Sequence, residues 1–418
     1  MGKQVTLEQV DGFKFVDGGV CAAEGFVAGG LHCGLHPDPN KNDLGMLYAK
    51  AGANAAGVYT TNKVKGAPIL VTKKHLGLTG GKAKAVIMNC KNANTCNADG
   101  EAKAEEMCKL AALALGIQTE DVLVASTGVI GQVLPIEPIK AHVQELADSL
   151  CTGGHLEAEK AIMTTDTVPK ELAVEFTVDG ATYHLGGMAK GSGMIRPNMA
   201  TTLNFITTDM TVSSKVLQEI LDDVVQITYN CLSVDGDMST NDMVLFLAGG
   251  QNPDVEVKEG TEAFAKLKEA LTIVMTNLTR MLAKDGEGAT KLIEVSCEGA
   301  KNRKDAITIA KSVVDSNLLK CAIFGEDANW GRILCAAGYA DADFDVTKVE
   351  VHLSSKAGRE LVCRNGAGVA FSEEKAAQIL KEDEICIEIA LQEGDGKAKA
   401  WGCDMTYDYV KINGDYRS

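Results

Sequence analysis

The sequence predicts an α/β protein made of layers with mixed sheets, and three observations carry that prediction. Glycine is abundant at 43 residues, while proline contributes 8 and aromatic side chains 5%, a balance that suits tightly connected layers better than disordered linkers. Short β-branched runs recur along the chain, which is the pattern of buried strands. Between them lie longer stretches whose apolar residues return at helical spacing. At 418 residues the chain exceeds the usual single-domain size, so two lobes or one large α/β unit can bury a substantial core.

The runs that read as strands are KAVIMN at 84–89, DVLVAST at 121–127, LNFITTD at 203–209, KLIEVSCEG at 291–299, DAITIAK at 305–311, KVEVHLS at 348–354 and ICIEIAL at 385–391. Residues 101–115 begin with acids and line up Ala104, Met107, Cys108, Ala111 and Leu115, the stripe of a helix lying on a sheet. In 213–232, Ser213 or Ser214 offers an N-cap, and Leu217, Ile220, Leu221, Val224 and Val225 face inward. A third helix is predicted at 262–286, ended by Gly286.

Lys and Arg total 41 against 57 Asp and Glu, a net charge of -16. That balance disfavours a general nucleic-acid or anionic-membrane surface, because like charges repel. The first nineteen residues lack the apolar core of a signal peptide, and no run of roughly 18 apolar residues occurs. A cytoplasmic protein is expected. Met1-Gly2 with Thr6 matches a myristoylation pattern only superficially. The 13 cysteines include no C-x-x-C pair, and an odd, irregular set fits reduced thiols. The closest pair, Cys90 and Cys96, has no common zinc spacing, and these thiols read as buried small hydrophobes.

One stretch breaks the organisation: GMAKGSGMIRPNMATTL, 187–203. Its glycines and proline lead into Thr201 and Thr202, and a strand follows at once. A strand that opens on Thr after such a loop suits a chain that cuts itself. The hydroxyl attacks the carbonyl before it, the amide becomes an ester, and water releases two chains. The freed α-amine, with an ordinary pKa near 8, can then act as the hydroxyl's own base. Histidine is not needed, and of the 7 present His184 alone lies nearby in sequence. A Thr after Ala in a Gly-rich loop also occurs often by chance.

The segment 189–209, AKGSGMIRPNMATTLNFITTD, closely resembles the processing and nucleophile segment of the ornithine acetyltransferase family of arginine biosynthesis, bifunctional or monofunctional. DLGMLYA, AAGVYTTNKVKGAPILV, VLVASTGVIGQVLP, AIMTTDTVPKE, SVDGDMSTNDMVL, DGEGATKLIEV, GEDANWGRI and YVKINGDYRS resemble further family blocks in family order. The resemblance covers essentially the whole chain. It implies a layered architecture like that of N-terminal-nucleophile enzymes, and a cut between Ala200 and Thr201 into chains 1–200 and 201–418. Thr201 is then the nucleophile and Thr202 an ordinary residue at the strand's start.

The resemblance assigns the oxyanion-binding pair to Thr127 and Gly128 of STGVIG; a Thr-Gly at a strand end is also an ordinary turn. It puts Lys190 and Glu287 in the substrate site, with Glu287 answering an α-ammonium and Lys190 an α-carboxylate, a polarity read from charge. Asp285, two residues from Glu287, is assigned nothing and is expected to tolerate change better. Thr164, Asn413 and Ser418 match further substrate-binding positions. Cys90-Lys91 departs from the small residues more typical of the family, which puts the local loop geometry in doubt, and Ser418 stands where Thr is also common.

The implied activity moves acetyl from N2-acetyl-L-ornithine to L-glutamate through an acetyl ester on Thr201. No metal or organic cofactor is expected, although some family members also accept acetyl-CoA as donor. The implied assembly is a heterotetramer, two copies of each fragment. Two alternatives remain at this level. An autoprocessed amidohydrolase or aminopeptidase would use water as acceptor, and a non-enzymatic amino-acid sensor would keep the site without cutting.

Overall fold

The computed structural model describes residues 4–196, 202–252, 255 and 257–416. Ala200, Thr201 and Ser418 therefore lie outside the described residues. In chain order the strands are β1 (Phe13–Val16), β2 (Phe26–Leu31), β3 (Leu44–Tyr59), β4 (Lys82–Asn89), β5 (Val122–Ser126), β6 (Glu171–Val178), β7 (Ala181–Lys190), β8 (Leu203–Met210), β9 (Leu232–Ser233), β10 (Met243–Asn252), β11 (Leu292–Ala300), β12 (Glu350–Ser355), β13 (Gly358–Arg364), β14 (Ala367–Gly368), β15 (Glu384–Ala390) and β16 (Gly396–Cys403).

Among the described residues they form two mixed sheets. The larger runs β1-β6-β7-β8-β10-β3-β4-β5, with β2 also paired to β3; the smaller runs β14-β13-β12-β15-β11-β16-β9. The helix Glu262–Lys284 touches β6 and β7 of the first sheet and β11 and β16 of the second. It is thus a layer between them. Its neighbour Ser214–Ile227 packs on β3 and on that helix. One continuous apolar cluster joins Leu217, Leu221, Leu271, Leu278, Val295 and Ile387, so the two sheets share a core.

Local chemistry explains these helices. Ser213 accepts from the Val216 N–H and Thr261 from the Phe264 N–H, each satisfying an amide that the first helical turn cannot. Leu217, Ile220, Leu221, Val224 and Val225 are all buried, as their spacing predicts. The helix Gly100–Leu115 buries Ala104, Met107, Cys108 and Ala111, while Leu115 is half-buried. One boundary differs from expectation, Asp285 rather than Gly286 capping the long helix, while the strand after the junction begins at Leu203, the first residue of LNFITTD.

The predicted strand at 305–311 is wrong. Those residues lie inside the helix Arg303–Val314, whose Asn302 side chain caps the Asp305 N–H. Ala306, Ile309, Ala310, Val313 and Val314 are its buried face, a helical series that a seven-residue window cuts short. The cysteines are all free thiols. Cys90 is buried but Cys96 is exposed, so the second is not a core residue. Among the described residues no helix is long and apolar enough to cross a membrane.

Leu221 is fully buried and Leu113 is 71% exposed. Leu221→Ala is expected to lower unfolding free energy by about 2–5 kcal/mol, and Leu113→Ala to change it by less than ~0.5 kcal/mol. Urea unfolding of the two variants measures both.

Candidate active site

Thr127, Gly128, Thr164, Lys190, Glu287 and Asn413 all line one cavity of about 140 Å³. The sequence scatters these residues over most of the chain. Three strand ends bring them together. Lys190 ends β7 directly opposite Leu203, which opens β8, and Leu203 is in turn registered to Met243 at the start of β10. Thr202 and Leu203 also line the cavity. Thr201 lies outside the described residues, one covalent step from Thr202.

Thr127 and Gly128 follow β5. The Thr127 N–H donates to the Asn89 carbonyl at 3.0 Å, while no described residue accepts from the Gly128 N–H. Gly128 has φ +131, and a Cβ there would stand 2.2 Å from the Lys91 carbonyl carbon. Only glycine permits that approach. The loop pressed against it is the one that departs from the family pattern. Lys91, Asn94 and Cys96 adopt positive φ, yet the backbone is well tied, with Val129 N–H on the Lys91 carbonyl at 3.1 Å and Ala93 N–H on the Val129 carbonyl at 3.0 Å. The loop geometry is intact despite the unusual residues.

Asn241, just before β10, joins that loop to the strand end. Its Nδ2 donates to the Ala93 carbonyl at 2.6 Å and to the Ser126 carbonyl at 2.9 Å, and its Oδ1 accepts from the Thr95 and Thr240 hydroxyls at 2.6 Å each. A fully satisfied buried amide of this kind fixes its neighbours in one arrangement.

Lys190 is not a solvated charge but 8% exposed. Its Nζ donates to the Thr164 hydroxyl at 2.9 Å and the Thr127 hydroxyl at 3.4 Å, and lies 3.9 Å from an Asp166 oxygen. Since Thr127 Oγ1 accepts from Lys190, its own proton is left for a group in the cavity. The Asp166 side chain is buried and also accepts from the Gly191 N–H at 2.6 Å, the Thr164 N–H at 3.0 Å and Lys170 Nζ at 2.8 Å. Burial alone would raise its pKa, but Lys170 and then Lys190 outweigh burial and hold the carboxyl well below the usual range.

Lys170 pairs in addition with Asp285 at 2.7 Å. Asp285 is fully buried, takes the Thr167 N–H at 2.9 Å, and gives its carbonyl to the Ser192 hydroxyl at 2.7 Å. It is therefore no neutral neighbour of Glu287, as its lack of an assigned role suggested, but part of a buried lattice of charges. Glu287 itself is only partly buried. Its N–H donates to the Ser192 carbonyl at 3.0 Å, and its Oε2 accepts from Asn413 Nδ2 at 2.7 Å. A Cβ at Gly193 would meet the Glu287 carboxyl carbon at 2.4 Å, so the loop closes tightly on that side chain.

The cavity thus offers a hydroxyl and an amide N–H that no described residue claims on one side, an ammonium, and a carboxylate. Such a set can stabilise an oxyanion and hold a ligand that carries both charges. His184 plays no part: its ring pairs with Asp209 at 3.0 Å, away from the cavity lining. Among the described residues no group of three or more His, Cys, Asp or Glu could hold a metal ion. Sequence reasoning assigned no role to Asp166, Lys170, Asn241 and Asp242; the polar STND before the apolar β10, 239–242, is the one local signal for the last two.

The model of the ArgJ family matches residues 27–418. The chain is 48% identical over 406 residues to the arginine biosynthesis bifunctional protein ArgJ of Caldanaerobacter subterraneus, covering 97% of this chain and 100% of that one. It is 46% identical to the protein of the same name from Symbiobacterium thermophilum, over 97% and 100% of the two chains. A crystal structure of ornithine acetyltransferase complexed with ornithine, from Mycobacterium tuberculosis, is 36% identical over 45% of this chain and 100% of its own, with a TM-score of 0.42.

Asp285→Asn removes one partner of a buried ion pair and leaves Lys170 with a single carboxylate. It is expected to cost about 3–5 kcal/mol of stability. Glu287→Gln, at a partly open position, is expected to cost less than ~1 kcal/mol. Chemical denaturation of both variants decides between them, and equal losses would mean that the charge lattice does not hold the site.

Proposed function

The chain belongs to the ArgJ family and is an enzyme of arginine biosynthesis; from that premise we propose that it moves acetyl from N2-acetyl-L-ornithine to L-glutamate through an acetyl ester on Thr201. The observation that carries the reading is the convergence of Thr127, Gly128, Thr164, Lys190, Glu287 and Asn413 on one cavity at the opening of β8. In this reading the chain first cuts itself between Ala200 and Thr201, giving fragments 1–200 and 201–418 that stay interlocked through the shared core.

The Thr201 hydroxyl attacks the acetyl carbonyl of the donor, its proton passing to the new α-amine. The carbonyl oxygen becomes an anion and takes hydrogen bonds from the Thr127 hydroxyl and the Gly128 N–H. Lys190, bonded to Thr127 Oγ1, orients that hydroxyl, and its positive charge lowers the energy of the oxyanion. The amide nitrogen leaves with the proton as ornithine, and the amine of glutamate then attacks the ester. Every step uses groups of this chain and its substrates. Acetyl-CoA could enter as a second donor by the same attack.

Charge refines the role of Glu287. In N2-acetylornithine the α-nitrogen is an uncharged amide, so the cation that Glu287 answers before transfer is the side-chain ammonium. An α-ammonium exists only in free ornithine and in glutamate. Lys190 carries the opposite charge and suits the α-carboxylate common to both substrates. The remaining position, Ser418, belongs to this site by resemblance alone, as does the assembly of two copies of each fragment.

The test is a product assay with N2-acetylornithine, comparing glutamate with water as acceptor. N-acetylglutamate as the main product supports the reading; acetate as the main product replaces it with hydrolysis. Thr127→Ala should lower kcat by roughly 10² to 10³ with little change in KM, because the oxyanion exists only near the transition state. Unchanged kcat with a raised KM would make Thr127 a ground-state binding group.

A further inference from the structure

Asp242 stands immediately before β10 and is fixed on two sides. The Thr60 N–H donates to its carbonyl at 3.0 Å, and the next residue, Met243, donates its N–H to the Thr202 carbonyl at 2.9 Å. It lines the same cavity as Thr127, Lys190 and Thr202. Its exposure is 2%, and its Oδ2 is buried with no hydrogen-bond partner among the described residues. The ammonium of the cavity, Lys190, is engaged by Thr164, Thr127 and Asp166.

A carboxylate so placed would be a buried charge without an ion-pair partner of its own, which is costly enough that the group keeps its proton instead. Burial pushes the Asp242 carboxyl well above the usual carboxylate range, against smaller opposing contributions from Ser239 and Lys190. An orphaned polar atom inside a native fold needs a reason. Here the reason is position. The register of β10 on β8 begins at Met243 and Leu203, so Asp242 and Thr202 are the residues just before that first pair, and the bond before Thr201 is one residue further along the chain.

We propose that Asp242 carries the proton of the self-cleavage step: its carboxylic acid protonates the Thr201 nitrogen as the Ala200–Thr201 amide breaks, and recovers a proton from the Thr201 hydroxyl. The inference rests on the reading that the chain cuts itself before Thr201. In the shift, the bond from Thr201 Oγ1 to the Ala200 carbonyl carbon forms and the carbon–nitrogen bond breaks. The hydroxyl loses one proton and the nitrogen gains one, so Asp242 ends as it began. Water then splits the ester, its hydroxyl going to Ala200 and its proton restoring the Thr201 hydroxyl. A carboxyl whose burial favours its protonated form suits this exchange better than a solvated carboxylate.

The experiment follows conversion of the 44.1 kDa chain into two fragments, by denaturing gel and intact mass, in wild type, Thr201→Ala and Asp242→Asn. The Asn side chain keeps shape and neutrality but cannot release a proton on this scale. Asp242→Asn is expected to cut at least ~10²-fold more slowly than wild type, the usual size of an acid–base contribution, while unfolding at the same temperature as uncut Thr201→Ala. Cutting at the wild-type rate overturns the role of Asp242. An uncut Asp242→Asn that melts well below Thr201→Ala overturns it too, because a damaged fold then explains the result. A wild type that stays whole, or a Thr201→Ala that cuts, overturns the self-cleavage reading itself and the role of Asp242 with it.

Discussion

Four buried charges, Asp166 and Asp285 against Lys170 and Lys190, hold the site in register. Their side chains are at most 9% exposed, so each pays nearly the full cost of leaving water and depends on the others for compensation. They also tie distant pieces of chain together. Asp166 binds the loop after residue 163 to the end of β7, and Asp285 binds that loop to the end of the long central helix. Lys190 is the member that faces the cavity, and Asp166, 3.9 Å away, joins it to the other two.

On the opposite wall, neutral groups do the same work. The Asn-rich loop 89–97 contributes Asn89, whose Nδ2 donates to the Cys90 and Asn92 carbonyls at 2.9 and 3.0 Å, and Asn94, which reaches the Gly100 carbonyl at 2.8 Å. These bonds hold the Lys91 carbonyl against Gly128, where no side chain fits. The turn at Thr127 and Gly128 is therefore built from outside inwards. One wall is set by charge, the other by amide hydrogen bonds, and the strand that follows Thr201 opens between them.

Much of this was legible in the sequence because it rests on local signals. The Ser213 cap and the apolar series from Leu217 to Val225 describe their helix completely. The strand-then-turn pattern at Thr127 and the residues matching the ornithine acetyltransferase family pointed to members of one cavity. The failures have physical causes. Residues 305–311 look like a strand when read alone, because Ile307 and Ile309 are β-branched, and only the longer series through Val314 with the Asn302 cap shows the helix. Asp166 and Asp285 look like surface acids because a charge's burial is decided by partners far away in sequence, and no local pattern encodes that. Asp242 was hidden for the same reason: its meaning comes from sharing one cavity wall with Thr202.

The central claim is that acetyl rests on Thr201 between donor and acceptor. The most direct measurement mixes the protein with N2-acetylornithine in the absence of glutamate, stops the reaction in acid, and weighs the peptide that begins at residue 201. The account predicts one added acetyl group on Thr201 and release of about one equivalent of ornithine per site, since the ester forms without the acceptor. Ornithine released only when glutamate is present, with the Thr201 peptide unmodified, would contradict it.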